Sequence, residues 1–311
     1  MSLRWPVVNA ETSACTLTPL FEGGNYFECP RWHDGRWWAV DFYRYGVFTY
    51  DADGNEDLVL EVEAQPSGLG WLPDGDLLVV SMKDRRVLRR AADGIVTEHA
   101  DVSELTTGHL NDMIVDRQGR AYAGNFGFDL MGGGQPETAS LVRIDPDGSA
   151  SIAAEDLWFP NGTVMTDDGG TLIVAETFGA RFTAFTIADD GALTDRRVWA
   201  QVQPTPERGD TETMLGAVTF APDGCTLDAE GHIWAANALA GAVTRVAPGG
   251  EIVEEIAMPD GLGVFACQLG GEDGRTLVAC AAPDFHEEAR KAATEAVLLS
   301  ATVDVPHAGL P

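Results

Sequence analysis

One pattern recurs six times along the chain and constrains its fold more than any other feature. Each copy is a short apolar strand, a tight turn containing glycine, and a second strand rich in β-branched and aromatic residues, as in GWLPDGDLLVVS and TLDAEGHIWAAN. Successive turn glycines are 40, 44, 50, 62 and 43 residues apart. This period is typical of the four-stranded blades of a β-propeller. The turn glycines are Gly35, Gly75, Gly119, Gly169, Gly231 and Gly274.

A second glycine turn follows the first in five of the six copies. Segments such as DADGNE and DPDGSA carry the Asp-Gly pair typical of tight hairpins, so each copy is predicted to hold four antiparallel strands. The sixth copy ends with AVLLSATVDV and is one strand short, while a spare strand, CTLTPLFE at residues 15–22, precedes the first copy. Pairing the two would remove the free sheet edges. We therefore predict an all-β, six-bladed β-propeller whose ring is closed by the N-terminal strand in the last blade.

The propeller is expected to form a single domain over residues 1–311. Because tight turns join strands one to two and three to four, the remaining loops and the links between blades share the opposite face, where functional sites are usually found. The blades are expected at residues 23–62, 63–104, 105–156, 157–203, 215–258 and 259–311, the last completed by residues 15–22.

The charge and composition of the chain limit the classes of partner that the protein can bind. A formal net charge of −29 argues against nucleic acid and against anionic membranes, because both are bound through Lys and Arg, and leaves a small-molecule substrate. The segment MSLRWPVVNAETSA has no apolar core of signal-peptide length, and no run is long enough to cross a membrane. Five cysteines without a C-x-x-C pair are expected to be free thiols. We predict a cytoplasmic protein, a monomer or a weak homo-oligomer, since no segment marks an interface.

Polar side chains share one position near the start of the predicted inner strands. Counting back seven residues from Gly35, and eight from the later turn glycines, gives a ring of residues near the channel mouth. Carboxylate and amide oxygens in this ring suit hard divalent cations. The alternative is that these groups cap the strands and bind channel water. Four in one register favour one metal ion: Ca²⁺ first, with Mg²⁺, Mn²⁺, Fe²⁺ or Zn²⁺ as alternatives. The ring is Glu28, Ser67, Asn111, Asn161, Asp223 and Ala266, and the predicted ligands are Glu28, Asn111, Asn161 and Asp223.

Residues after each second strand are predicted to line the rim of the pocket. Phe126, Phe178 and His286 are candidate substrate contacts there, and the aromatic rings favour a substrate bulkier or less polar than a simple sugar lactone. The alternative is that these rings pack between loops. His109 is a further candidate substrate contact; it is either a proton shuttle near neutral pH or a solvated loop residue. The glycine-rich segment 128–137 is either a lid or a plain loop.

Four blocks of sequence resemble the signatures of the SMP-30/gluconolactonase/luciferin-regenerating-enzyme family. They are FECPRW, HLNDMIVDRQGRAYAGN, FPNGTVMTDDGGTLIVAET and PDGCTLDAEGHIWAAN, in the family's order and spacing over residues 21–284. The resemblance implies a six-bladed propeller with a divalent metal in the channel. It also implies a metal-dependent hydrolase, most often a lactonase, in which the metal polarises the carbonyl of the cyclic ester.

The same resemblance assigns roles to residues of this chain. It implies Glu28, Asn161 and Asp223 as metal ligands, with Asp223 also the general base or nucleophile. Asn111 would be a fourth ligand or a substrate contact, and Asp112, which follows it as in the family, would be a further substrate contact. Sugar-lactonase members often have Arg two residues before this Asn, where this chain has His109, which disfavours gluconolactone as substrate. Two alternatives stay open: a phosphotriesterase of the diisopropylfluorophosphatase type, and a non-catalytic ligand-binding propeller with a structural metal.

Overall fold

Six four-stranded antiparallel sheets surround a central channel, so the predicted six-bladed propeller is confirmed. The computed structural model describes residues 15–311; residues 1–14, where the sequence shows no signal-peptide core, lie outside the described residues. In the first five blades the strands pair in chain order from the channel outwards, and the innermost strand of each blade packs against those of its neighbours.

The strands of the first three blades are short. The first blade contains β2 (Phe27–His33), β3 (Arg36–Asp41), β4 (Gly46–Tyr50) and β5 (Glu56–Glu61). The second contains β6 (Pro66–Trp71), β7 (Leu77–Ser81), β8 (Arg86–Arg90) and β9 (Val96–Asp101). The third contains β10 (Leu110–Val115), β11 (Ala121–Asn125), β12 (Ala139–Ile144) and β13 (Ala150–Leu157).

The other three blades complete the ring. The fourth contains β14 (Pro160–Met165), β15 (Thr171–Glu176), β16 (Arg181–Ile187) and β17 (Leu193–Gln201). The fifth contains β18 (Pro222–Leu227), β19 (Ile233–Asn237), β20 (Ala242–Val246) and β21 (Ile252–Ala257). The sixth contains β22 (Gly263–Gly270), β23 (Thr276–Ala282), β24 (Ala296–Thr302) and, outermost, β1 (Thr18–Gly24).

The N-terminal strand closes the ring. β1 pairs antiparallel with β24, and the hydroxyl oxygens of the facing residues Thr18 and Ser300 are 3.1 Å apart. The closing strand predicted at residues 15–22 is therefore confirmed, although it begins and ends later in the chain. The first and last strands of the chain, β1 and β24, are thus paired in one sheet. Each of the three inner strands of the sixth blade therefore has its strand partners.

Two short helices on the loop side were not predicted. Helix α1 (Thr211–Ala217) is capped by Asp210, whose side chain accepts a hydrogen bond of 2.8 Å from the amide of Thr213. Helix α2 (Glu287–Ala292) is anchored by Arg290, which forms ion pairs with Asp284 and Glu295. No helix within residues 15–311 is long and apolar enough to span a membrane.

Every innermost strand carries a β-bulge or irregularity near its start. In blades two to five the pairing with the second strand skips two residues, and in three of these pairs the second residue is glycine. A Cβ on Gly162 would lie 2.3 Å from the carbonyl oxygen of Asp223, so the next blade leaves no room for one. Bulges re-aim side chains, which turns the first residue of each pair towards the channel. The skipped pairs are Ser67-Gly68, Asn111-Asp112, Asn161-Gly162 and Asp223-Gly224.

Candidate metal centre and pocket

Four of the six predicted ring residues line one pocket at the loop-side end of the channel. Glu28, Asn111, Asn161 and Asp223 form its polar floor. The structure thus brings together all four predicted metal ligands, which come from four different blades. Ser67 and Ala266, the other two ring residues, are buried and are not part of the pocket lining.

The two carboxyl groups of the floor are in an unfavourable setting for negative charge. Burial raises the pKa of Glu28 well above its usual value, and the charges of Asp223 and Asp112 raise it further. Burial also raises the pKa of Asp223 well above its usual value, as does Asp112, while hydrogen bonds from Asn161 and from the amide of Gly224 oppose this. A cation between the two carboxylates would offset both effects.

The two amide groups of the floor present different atoms to a bound group. The Nδ2 group of Asn161 donates to Thr177 Oγ1 over 3.2 Å, and that hydroxyl donates to the carbonyl of Pro222 over 2.8 Å. The amide is therefore oriented through its nitrogen, and its oxygen is the atom left to bind a ligand. The buried Nδ2 of Asn111 lacks a hydrogen-bond partner among the described residues. An unpaired buried donor is costly, and because an N–H group cannot bind a cation, it favours an acceptor oxygen of a bound substrate at this position.

The donor set narrows the class of metal. Within residues 15–311 no group of three His, Cys, Asp or Glu side chains is arranged to hold a metal ion, so a metal on this floor would rely on two carboxylates and amide oxygens. Such a set is hard and oxygen-only, and it fits Ca²⁺, Mg²⁺ or Mn²⁺ better than a soft ion.

Asp112 does not line the pocket, which differs from its expected place beside the substrate. Its Oδ1 accepts hydrogen bonds from Arg31 Nη2 over 2.6 Å and from the amide of Met113 over 2.7 Å. The bulge points Asn111 towards the pocket and directs Asp112 into the interior, where it pairs with the buried guanidinium. Asp112 therefore supports the floor from beneath.

A second ring lies above the floor. Each member is two residues before a ring position and immediately precedes the innermost strand of its blade. Of this ring, the sequence analysis identified His109 alone. Applying the two-residue offset to every blade would have found the others. The second ring is Tyr26, Gln65, His109, Phe159 and Ala221, and all five line the pocket.

Aromatic side chains form two walls on opposite sides of the pocket. The first aromatic wall comes from blades three and four, where Phe126 stacks on Phe159 at a centroid distance of 4.6 Å and Phe159 lies 5.3 Å from Phe178. The second comes from blades one and six, where Tyr26 lies 4.9 Å from Phe265 and 5.3 Å from Phe42. The first wall is His109, Phe126, Phe159 and Phe178, with Phe128 packed against Phe178 outside the pocket lining, and the second is Tyr26, Phe42, Tyr43, Phe265 and Phe285.

The predicted rim residues differ in whether they line the pocket. Phe126 and Phe178 line the pocket as expected, whereas His286 is exposed and does not. The Asp284 carboxylate accepts a hydrogen bond from the amide of His286, and this turn points the imidazole towards solvent. The neighbours of His286, Phe285 and Glu287, line the pocket instead.

His109 lies at the pocket wall beside Phe126. Burial lowers its pKa, and the positive charge of Lys83 lowers it further, so the imidazole is neutral at neutral pH. A neutral imidazole has one ring nitrogen free to accept a proton.

The segment 128–137 packs against the region around α1 and forms one side of the pocket. Thr211 donates to the carbonyl of Gly134 over 3.0 Å, and Leu130, Met131 and Leu215 reach the pocket. Phe128 packs with Met214 of α1 in one apolar cluster. The segment thus supplies part of the wall, and whether it also moves as a lid stays a prediction.

Comparison with known proteins identifies the family. The model of the SMP-30/Gluconolactonase/LRE-like region matches residues 27–282, which is most of the chain. The protein belongs to this family. The match spans all four of the polar floor residues and both aromatic walls except Tyr26 and Phe285.

Relatives of this SMP-30/gluconolactonase/LRE-like protein include lactonases. It is 28% identical to pentonolactonase XacC of Haloferax volcanii over 250 residues, 79% of this chain and 78% of the relative. It is 29% identical to 6-deoxy-6-sulfogluconolactonase of Pseudomonas putida over 169 residues, 54% and 52% of the two chains. Its fold matches the crystal structure of a calcium-binding protein, regucalcin, from Agrobacterium tumefaciens, with a TM-score of 0.74, 21% identity and coverage of 93% and 94%.

Proposed function

We propose that this protein is a divalent-metal-dependent lactonase that opens a cyclic ester. One observation carries the proposal: two carboxyl groups, the buried Glu28 and the partly buried Asp223, converge with two amides from other blades on the floor of one pocket. Membership of a family that includes pentonolactonase XacC supports lactone hydrolysis, and the likeness to a calcium-binding regucalcin supports Ca²⁺ as the first metal to test.

Glu28, Asn161 and Asp223 would hold the metal, with Asn111 as a fourth ligand or a substrate contact. A bound divalent ion would supply Lewis-acid polarisation of the lactone carbonyl. The Thr177 hydroxyl keeps the amide oxygen of Asn161 free by occupying its nitrogen. The unpaired Nδ2 of Asn111 is a donor that can orient the ester oxygen atoms.

Asp223 is the residue proposed to begin the reaction. Its carboxylate either removes a proton from the attacking water, or attacks the carbonyl carbon directly to form an acyl-enzyme that water then hydrolyses; in either case the water gives up one proton. The neutral His109 above the floor can accept that proton and pass it to the alkoxide that leaves as the ring opens. The products are one hydroxy acid per lactone, so no co-reactant other than water is required.

Proton release during ring opening tests the proposal. The purified protein is stripped with a chelator, and hydrolysis of sugar lactones and apolar lactones is followed by pH-stat after adding Ca²⁺, Mg²⁺, Mn²⁺, Fe²⁺ or Zn²⁺. We expect turnover to return with one or more ions and to be lost in Asp223→Ala. Asp116→Ala is the control, because Asp116 is a buried aspartate outside the pocket that accepts hydrogen bonds within its turn.

Two results would contradict the lactonase proposal. One is turnover that survives complete chelation, and the other is an absence of lactone turnover with every ion although isothermal titration calorimetry shows that one ion binds. In the second case a phosphotriester assay with the same metal separates the phosphotriesterase alternative from a purely ligand-binding propeller.

A further inference from the structure

The space above the polar floor is a slot between the two aromatic walls. In a six-bladed ring, blades three and four face blades six and one, so the walls stand opposite each other. Most of their rings are buried among one another, while Phe126 and Phe285 are partly exposed at the mouth. A ligand in the slot is flanked by aromatic faces and edges on two sides, which favours apolar groups.

The two ends of the slot add few polar groups. At the blade-five end the side chains are Ala221, Ala238 and Leu239. At the blade-two end are Gln65, Met82 and Lys83, and the ammonium of Lys83 is already paired with Glu287 over 3.1 Å.

Sugar hydroxyls would therefore find few partners in the slot. Gln65 has a buried Oε1 with no hydrogen-bond partner among the described residues, and His109 has one imidazole acceptor. The other polar groups above the floor are the hydroxyls of Tyr26 and Tyr43 and the Lys83–Glu287 ion pair. The rest of this lining is apolar, so the several hydroxyls of an aldonolactone would lose hydrogen bonds to water on entry and meet few partners in return. Buried hydroxyls without partners cost affinity, so the slot selects against a polyhydroxylated ring.

We infer that the substrate is a lactone whose ring carries an apolar substituent. The inference rests on the proposed lactonase function and specifies its substrate class. The ester of the lactone lies at the polar floor, where the reaction occurs, and the substituent lies in the slot between the two aromatic walls. The substrate thus matches the division of the pocket into a polar floor and apolar sides.

A homologous series isolates the effect of the substituent. The substrates are δ-valerolactone, δ-hexalactone, δ-octalactone and δ-decalactone, which share one ring and one ester, together with D-glucono-1,5-lactone. We expect kcat/KM to rise about fourfold per added methylene until the slot is filled, as burial of each CH₂ group predicts. Gluconolactone is expected to have a lower kcat/KM than δ-valerolactone.

Substitutions in each wall locate the binding site of the substituent. Phe126→Ala and Phe285→Ala each remove one partly exposed ring, from opposite walls. We expect each to lower the ratio of kcat/KM for δ-decalactone over δ-valerolactone at least fivefold. The matched control is Phe21→Ala, a partly buried ring of β1 that packs on Tyr50 outside the pocket, and its ratio should stay within twofold of wild type.

The outcomes separate this inference from the proposed function. Metal-dependent turnover with no dependence on chain length, or with gluconolactone as the best substrate, would overturn the apolar substrate class and leave the lactonase intact. A chain-length effect that neither wall variant reduces would overturn the slot as the binding site. Absence of turnover for every lactone with every ion would overturn both.

Discussion

At the scale of single residues, the pair Asn111-Asp112 shows how one bulge serves two purposes. Its first residue lines the pocket, and its second accepts a hydrogen bond from Arg31 beneath the floor. The sequence predicted the place of Asn111 from its register but not that of Asp112. A count along the strand assumes regular alternation, and the bulge breaks that alternation between these two residues.

The Arg31–Asp112 pair leads to a prediction about stability. Both side chains are buried, so Asp112→Ala would leave the guanidinium without its carboxylate, and we expect the free energy of unfolding to fall by about 3 kcal/mol. The double variant Arg31→Met/Asp112→Ala should recover at least half of that loss, because it removes the unpaired charge. Urea unfolding checks both variants, and a loss below about 1 kcal/mol for Asp112→Ala would count against the pair.

Thr177 offers a prediction about metal affinity. Thr177→Val keeps the size of the side chain and removes the hydroxyl that accepts from Asn161, so the amide is held less firmly and keeps only its hydrogen bond to Asp223. We expect the Kd for Ca²⁺ to rise about tenfold or more, as is usual when the group that orients a metal ligand is lost.

Isothermal titration calorimetry measures this Kd, with Thr106→Val as the matched control. The hydroxyl of Thr106 also donates to a backbone carbonyl in the interior, that of Val102, but it does not contact the floor. Equal affinities for the two variants would mean that Thr177 does not orient a metal ligand.

At the scale of secondary-structure elements, strands were predictable and helices were not. The strands are bounded by turns in which glycine has a positive φ angle, as at Gly75 and Gly119. Few other residues adopt this conformation readily, so the glycines mark the strand ends in the sequence itself. Helices α1 and α2 have only seven and six residues, too few to be stable alone. Their stability comes from tertiary contacts such as Met214 in the cluster with Phe128, which the local sequence does not reveal.

The glycines of the bulges support a prediction about blade packing. Gly162→Ala would place a Cβ 2.3 Å from the backbone oxygen of Asp223, so blades four and five would have to separate. We expect a loss of about 2 kcal/mol in the free energy of unfolding, together with weaker metal binding.

Gly216→Ala is the matched control for that substitution. Gly216 lies in α1 with open space around it, and alanine should stabilise the helix by about 0.5–1 kcal/mol. Chemical denaturation compares the two variants. If both behave alike, the close contact between neighbouring blades at the bulge is not what requires glycine.

At the scale of the whole molecule, closure of the propeller ring determines which charged side chains meet at the central channel. The sequence predicted the closure because it had one strand too few at its end and one too many at its start. It could not predict the aromatic walls, since these join residues far apart in the chain, such as Tyr26 and Phe265. Closing the ring brings Glu28 and Asp223 together at its centre, so the fold itself creates the repulsion that a cation relieves.

This repulsion predicts how stability depends on pH and metal. The folded chain raises the pKa values of Glu28 and Asp223 above their ordinary 4.5 and 3.8, so it binds protons that the unfolded chain releases. Their contribution to stability is therefore present below those ordinary values and lost as pH rises through the folded-state pKa values. We expect the Tm of the chelated protein to fall between pH 5 and pH 8 by more than that of Asp223→Asn, which has a single carboxylate on the floor.

Added Ca²⁺ should reverse this loss. At a free concentration of about 100 times Kd, the ion should raise the free energy of unfolding at pH 8 by about 2.7 kcal/mol. It should not stabilise Asp223→Asn comparably, because that variant lacks one of the two carboxylates. Thermal unfolding followed by circular dichroism, with and without chelator, measures both effects. A chelated wild-type protein whose Tm changes with pH no more than that of Asp223→Asn would show that the two carboxylates do not repel each other across the channel.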